Sequence, residues 1–198
     1  MANAQHPGFL PMSFGTGGTV SYVRRRVLTN NTTEIALQDA VNADTNGNIL
    51  GISAGAQATA VDSVAMGASY VNTSGERVGA KSLPAATLYT SSGIAPENAS
   101  YVFCVENAPL VKYRASVDDA IVLADLRANC SVMAAAAVSG ISRHEIDSST
   151  KNNTATLPIR LLDFVYGPEN DVDAADAHVI CTINVGVTEP ALTTTGLA

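Results

Sequence analysis

The closest match to a catalytic signature is Gly51-Ile52-Ser53-Ala54-Gly55, which fits the G-x-S-x-G pattern of serine hydrolases. In that pattern a strained turn from a strand into a helix projects the serine hydroxyl, so a helix must follow. The residues after Gly55, QATAVDSVAMG, have no helical apolar face. A small serine hydrolase that uses Ser53 remains an alternative, but the sequence favours a protein with no catalytic residues.

Two further groups carry potential metal ligands. His178 and Cys181 are three residues apart, with Asp173 and Asp176 upstream. On a strand such positions point to opposite faces, and no second pair completes a tetrahedral site. The segment 44–48 (DTNGN) has its glycine at the fourth position, where a calcium loop needs it at the sixth. We therefore expect no bound metal and no cofactor.

The segment 139–150 also contains hydroxyl, imidazole and carboxylate groups, including His144 and Asp147. We interpret it as a surface hairpin in which Asp147 caps a turn. The three cysteines, Cys104, Cys130 and Cys181, each lie among apolar residues, which predicts reduced thiols in strand cores.

Composition limits the function classes. The chain has 198 residues, of which 46% are hydrophobic and 15% are charged, whereas soluble domains carry about 25% charged residues. Small polar residues replace the charges, which suits a surface covered by other protein. The net charge of −7 argues against nucleic-acid binding. No run of about 18 apolar residues predicts a membrane span. The N-terminus does not resemble a secretory signal, so we expect the protein to stay where it is made.

Strand signals dominate the pattern of apolar residues. Strands are predicted at 19–28, 33–41, 49–56, 101–105, 110–115, 156–166 and 177–187. The turn 106–109 is expected to join 101–105 to 110–115 as a strand pair, and 167–171 to join the last two strands. Residues 57–93 are predicted to form short irregular strands and a long loop. The segment 117–128 has helical character.

We therefore predict an all-β fold, a β-barrel or jelly-roll-like sandwich, with an extended N-terminal arm and at most one short helix. The predicted units are the arm at 1–18, one β-rich domain at 19–187 and a polar C-terminal tail at 188–198.

Two features indicate binding to another protein. The arm carries Phe9, Leu10 and Phe14, which would be exposed in a monomer unless they lie on a neighbouring surface. Arg24, Arg25 and Arg26 put charge on both faces of the first strand, as expected at a sheet edge or an interface. A solvated edge strand is the alternative interpretation of the three arginines.

The order of several segments resembles the capsid-stabilising, cement or decoration proteins of tailed bacteriophages. The segments that carry this resemblance are Pro7, Gly8, Phe9 and Pro11; Ala99-Ser100-Tyr101-Val102 with Val105-Glu106; Gly140-Ile141-Ser142 with 145–150; Leu157 with Arg160-Leu161-Leu162; Pro168-Glu169-Asn170; and Ile183-Asn184. The chain departs from the family pattern in its Ala- and Ser-rich middle and in the arginine run.

The resemblance implies a β-rich virion protein that binds the outside of the capsid. Its expected partners are the major capsid protein and further copies of itself, as a dimer or trimer, with no nucleic acid and no membrane. Its expected location is the capsid surface, after synthesis in the bacterial host cytoplasm. The other roles considered are a head fibre or tail component and the Ser53 hydrolase.

Overall fold

The computed structural model describes residues 8–14, 18–27, 31–44, 48–58, 60–85, 100–106, 108–153 and 156–184. The strands of these segments form two antiparallel sheets, and the helical elements within the same segments are two short 3₁₀ turns, Ala108–Leu110 and Leu123–Asp125. The all-β prediction is confirmed.

The first sheet has seven strands among the described residues. Its path runs β1-β9-β13-β12-β10-β11, with β5 paired to β10. In chain order the strands are β1 (Leu10–Phe14), β5 (Gln57–Ala58), β9 (Val111–Ser116), β10 (Asn129–Met133), β11 (Glu145–Asn152), β12 (Ile159–Phe164) and β13 (His178–Ile183).

The second sheet has six described strands in the order β2-β8-β6-β3-β4, with β7 paired to β6. The strands are β2 (Tyr22–Arg26), β3 (Ala40–Ala43), β4 (Ile49–Gly51), β6 (Ser63–Val71), β7 (Arg77–Ala80) and β8 (Tyr101–Val105).

The buried side chains form two hydrophobic clusters. The main core contains the aromatic rings of Phe9, Tyr113 and Phe164 together with aliphatic side chains from the first sheet and from β3, β6 and β8 of the second. The second core, which includes Ile35, lies under β3, β4, β6 and β8. A parallel β-bridge between Val117, which follows β9, and Ile146 in β11 joins these two parts of the first sheet. The first sheet therefore curls around the main core, but its described strands do not close into a barrel.

The N-terminal segment differs from the predicted arm. Phe9 has no exposed surface and packs in the main core, and its backbone N–H donates to the carbonyl of Gln38 over 2.9 Å. Gly8 has a φ of +58°, and a Cβ there would collide with Gln38 and Ser142. Leu10–Phe14 continues as β1, paired with β9. The prediction that Phe9 anchors on another protein is wrong, because this side chain fills the core of its own chain.

The predicted helix at 117–128 is also wrong. The segment bridges to β11 at Val117, and the carboxylate of Asp118 accepts the backbone N–H of Ser148 over 2.8 Å. Only Leu123–Asp125 turns helically, for three residues. The backbone N–H of Asp118 donates to the carbonyl of Ile146 in β11, so this part of the chain pairs with a strand and does not make the hydrogen bonds of a helix.

The predicted pairing of 101–105 with 110–115 is wrong as well. Strands form at Tyr101–Val105 and Val111–Ser116, but they belong to different sheets, because the 3₁₀ turn Ala108–Leu110 redirects the chain.

The region 57–93, which was predicted to form short irregular strands and a long loop, contains β6, the longest described strand. β6 forms a hairpin with β7. The Ala, Gly and Ser residues of β6 give it a weak hydrophobic pattern in the sequence, although most of its residues are buried in the structure.

The segment 139–150 is not a surface hairpin. His144 and Asp147 are buried, and Asp147 accepts hydrogen bonds from Gln57 and Ser149 at the start of β11. By contrast, the pairing of β12 with β13 is confirmed from Ile159↔Ile183 to Phe164↔Val179.

The cysteine prediction is confirmed, since Cys104, Cys130 and Cys181 are free and buried. The polar tail at 188–198, the first seven residues of the predicted arm and the Asn-Gly step at 46–47 lie outside the described residues.

Candidate partner-binding surface

β2 forms one end of the second sheet. It pairs with β8 in continuous register from Tyr22↔Val105 to Arg26↔Tyr101, and its other edge pairs with no described strand. Four of its five residues are exposed. An edge strand that is exposed on both faces is unusual, because most strands bury at least one face against a core.

The arginine run divides between the two faces of the sheet. Arg25 lies opposite the buried Val102, on the side that faces the second core. Its Nη1 atom is 3.1 Å from Oδ2 of Asp62, whose side chain is only 5% exposed. Arg25 therefore has a structural partner within its own chain, and the prediction that it contacts a partner protein is not supported by its position.

Arg24 and Arg26 point to the opposite, outer face together with Tyr22, since side chains alternate along a strand. Their neighbours across the ladder are Phe103 and Tyr101 on β8. The guanidinium of Arg24 lies over the ring of Tyr101, with Cζ 4.4 Å from the ring centroid. This is a cation–π contact between the two strands.

The outer face continues across β6 and β7. The cross-strand row runs from Arg26 through Tyr101 and Ser69 to Gly79. Arg77 projects beside this row and donates from Nη1 to Ser69 Oγ over 3.3 Å. Ser69 and Gly79 have small side chains, so no bulky group stands between the arginines of β2 and Arg77 of β7. We call this set the arginine face; its members are the exposed Tyr22, Arg24, Arg26, Arg77 and Phe103 and the half-buried Tyr101.

The arginine face combines positive charge with exposed aromatic surface. Tyr22 is 52% exposed and Phe103 is 37% exposed. Arginine, tyrosine and other aromatic side chains are enriched at the centres of protein interfaces, where they contribute most of the binding energy. In a chain with a net charge of −7, such a concentration of arginines defines a distinct surface.

Acidic residues cluster in a different part of the chain. The turn between β12 and β13 carries Glu169, Asp171, Asp173 and Asp176, of which the first three are exposed. This turn belongs to the first sheet, whereas the arginine face belongs to the second.

The structure brings together only part of the predicted binding set. Arg24 and Arg26 share one face, Arg25 turns inward, Phe9 is in the core and Leu10 is half-buried in β1. Phe14 ends β1, and its side chain lies outside the described features. Arg77, Tyr101 and Phe103 carry no local signal for this surface, because only the register of β8, β6 and β7 places them beside β2.

The alternative sites find little geometric support. Ser53 follows β4, and its Oγ is 3.3 Å from Thr33 Oγ1. Gly55 lies in a turn, and the two-residue strand β5 follows it instead of the helix that a nucleophile elbow needs. His178 contacts Arg114 and Asn170.

Within the described segments, no group of three His, Cys, Asp or Glu side chains could hold a metal ion. No helix of these segments is long and apolar enough to cross a membrane. Comparison of the chain with protein-family models, with curated proteins and with solved structures finds no match.

Proposed function

We propose that this chain is a structural virion protein that binds the outer surface of a bacteriophage capsid and stabilises the expanded shell by bridging major capsid protein subunits. The observation that carries the proposal is the arginine face, an exposed surface of arginines and aromatic rings at an open sheet edge. The resemblance of the segment order to capsid-stabilising proteins supports the identity of the partner.

The mechanism follows from preferential binding. A protein that binds the expanded shell and not the precursor stabilises the expanded state by mass action. Many copies, each contacting more than one capsid subunit, add to this effect through avidity. No reaction is required, and the protein acts without a cofactor in this proposal.

The charge distribution supports a contact of the arginine face with an acidic capsid surface. Guanidinium groups pair with carboxylates in a bidentate geometry, which fixes orientation as well as adding binding energy. The acidic turn between β12 and β13 would then remain on a side of the protein that the capsid does not cover. Steering by opposite charge speeds the encounter at low salt.

The same charges argue against the open edge of β2 as a contact between copies. An antiparallel pair of β2 strands around a two-fold axis would bring Arg24 and Arg26 close to their own symmetry copies. Like charges opposite each other destabilise a strand pair. We therefore propose that a dimer or trimer on the capsid uses another surface, and sedimentation equilibrium of the purified protein measures its size.

The test is to locate the protein in the particle. A density map of the mature virion, with the chain identified by an antibody fragment, should show it on the outside of the shell in contact with at least two capsid subunits. A position on a fibre or in the tail would favour the other structural role. Absence from the virion would refute both. Labelling of Ser53 by a fluorophosphonate probe would instead favour the hydrolase.

A further inference from the structure

A second group of cations, flanked by exposed apolar side chains, lies on β1 and β9 of the first sheet. Lys112 and Arg114 occupy alternating positions of β9, whose other residues are buried, so both point away from the main core. Met12 is the extra residue of a β-bulge in β1 beside Lys112 and is 50% exposed. Leu110 comes two residues before Lys112 and is 65% exposed. We call this set the β1–β9 surface; its members are Met12, Leu110, Lys112 and Arg114.

The two cations are not neutralised by the described part of the chain. No carboxylate there forms an ion pair with Lys112 or Arg114. Arg114 instead contacts Nδ1 of His178 through its Nη2 atom. Because an arginine side chain can only donate, this ring nitrogen accepts the hydrogen bond, and the imidazole adds no negative charge. Both cations therefore remain available to the carboxylates of another molecule.

The turn 165–177 between β12 and β13, which we call the acidic turn, has the complementary composition. Its Glu169, Asp171 and Asp173 are exposed, and neither Glu169 nor Asp173 forms an ion pair with a described cation. Tyr166 in the same turn is 70% exposed, and its ring meets Phe164 edge-on with 6.4 Å between centroids. Exposed tyrosine rings are frequent contributors to protein interfaces.

The acidic turn and Lys112 lie towards opposite ends of the first sheet. β13 pairs with β9 from His178↔Ser116 to Thr182↔Lys112, and the acidic turn ends where β13 begins at His178. The four residues from Lys112 to Ser116 span about 14 Å at the rise of a β-strand, which is longer than an ion pair. A contact between the acidic turn and Lys112 therefore requires a second copy of the chain.

The nature of the two patches determines how copies can meet. A two-fold contact of the β1–β9 surface with itself would bring like charges together, and so would a contact between two acidic turns. A contact between the two different patches brings opposite charges together and is head-to-tail, or heterologous. The arginine face belongs to the second sheet, so this contact leaves it free.

We propose that the acidic turn of one copy binds the β1–β9 surface of a second copy. Its carboxylates pair with Lys112 and Arg114, and Tyr166 packs against Met12 and Leu110. The inference rests on the proposed function for the expectation that copies associate on the capsid, and it names the surfaces that join them.

The test is sedimentation equilibrium of the purified full-length protein, without capsid, at low and high salt. The wild-type protein should self-associate at low salt and dissociate as salt screens the charges. Lys112→Glu should weaken self-association at least about tenfold, and so should Glu169→Lys with Asp173→Lys. All three positions are exposed, so these variants should keep the fold.

Mixing the two variants separates loss of the contact from loss of the fold. The Lys112→Glu protein keeps an intact acidic turn, and the Glu169→Lys, Asp173→Lys protein keeps an intact β1–β9 surface. An equimolar mixture should therefore associate although each variant alone does so weakly. A monomeric wild-type protein, undiminished self-association of both variants, or a mixture that does not associate would overturn the inference.

The variant Arg24→Glu with Arg26→Glu is the control, because it reverses two charges on the arginine face. It should self-associate as the wild-type protein does, and loss of self-association in this variant would overturn the inference by placing the contact on the arginine face. Because no capsid is present, the result is independent of shell binding. Self-association as expected, together with no binding of the wild-type protein to shells, would refute the proposed function alone.

Discussion

Arg25 and Asp62 form an ion pair on the inner side of the second sheet, with Nη1 3.1 Å from Oδ2. The contact joins the edge strand β2 to the segment that leads into β6. Because it directs Arg25 inward, the alternation of the strand turns Arg24 and Arg26 outward. One buried carboxylate thus helps determine which arginines reach the arginine face.

Removal of the Arg25 side chain should destabilise the protein more than removal of its neighbours. Arg25→Ala removes the ion pair of the buried Asp62 carboxylate, so we expect a loss of about 1–3 kcal/mol in the free energy of unfolding, moderated by the partial exposure of the arginine. Arg24→Ala loses one cation–π contact, worth less than about 1 kcal/mol. Urea unfolding of both variants measures the difference, and equal losses would contradict the structural role of Arg25.

The position of Phe9 predicts a core effect. Phe9→Ala should lower the free energy of unfolding by about 3–5 kcal/mol, because it removes a fully buried ring from the main core. Met12, three residues later in β1, is 50% exposed, so Met12→Ala should change stability by less than about 0.5 kcal/mol. Thermal unfolding of the two variants tests this, and a stable Phe9→Ala protein would restore the interpretation of Phe9 as an external anchor.

Asp39 should give the stability a specific dependence on pH. Burial raises its pKa from 3.8 to about 7, so between these values the folded state holds a proton that the unfolded state has lost. Its stabilising contribution is therefore complete below pH 4 and is lost as the pH rises through 7. Relative to the wild-type protein, Asp39→Asn should gain stability between pH 4 and 7 and level off above.

His144 acts in the opposite direction over part of this range. Burial lowers its pKa from 6.5 to about 4, so the unfolded state binds the extra proton between these values. Stability from this group is present above pH 6.5 and is lost as the pH falls to 4. The wild-type protein should therefore gain free energy of unfolding as the pH rises from 4 to 6.5, and His144→Gln should not gain this contribution. The free energy of unfolding of His144→Gln minus that of the wild-type protein should fall over this range. Urea unfolding across this pH range distinguishes the two slopes, and a flat difference for both variants would contradict the burial of the pair.

The cysteines should be unreactive in the folded protein. Burial raises the pKa of Cys104 and of Cys130 to about 12 and raises the pKa of Cys181 further, so none forms a thiolate near pH 8. Ellman's reagent should detect no thiol in the native protein and three after unfolding in guanidinium. Rapid modification of the native protein at any of the three would show that its strand is not packed as described.

Local pattern predicted some elements well and failed where tertiary contacts decide. The pairing of β12 with β13 follows from clean alternation on both sides of a polar turn. The helix at 117–128 fails because Val117 and Asp118 bond to β11, which no local pattern reveals. β6 escaped prediction because its Ala, Gly and Ser residues are weak strand formers that gain stability only when packed.

The candidate surface shows the same limit. The arginine run was visible in the sequence, but which of its side chains faces the second core depends on the register of β2 with β8, which places Arg25 beside Asp62. The aromatic members, Tyr101 and Phe103, join it only through the register of β8 with β2. That register is set by long-range pairing, and the sequence contains no local signal for it.

The proposed binding of the arginine face to a capsid is tested most directly by co-sedimentation at low salt with expanded shells of the bacteriophage proposed to encode this chain. The variant Arg24→Glu with Arg26→Glu should bind at least about tenfold more weakly than the wild-type protein. The control Arg127→Glu with Arg160→Glu makes the same change in net charge at exposed positions next to β10 and in β12, and should bind as the wild-type protein does. Equal binding of the wild-type protein and both variants would contradict the account.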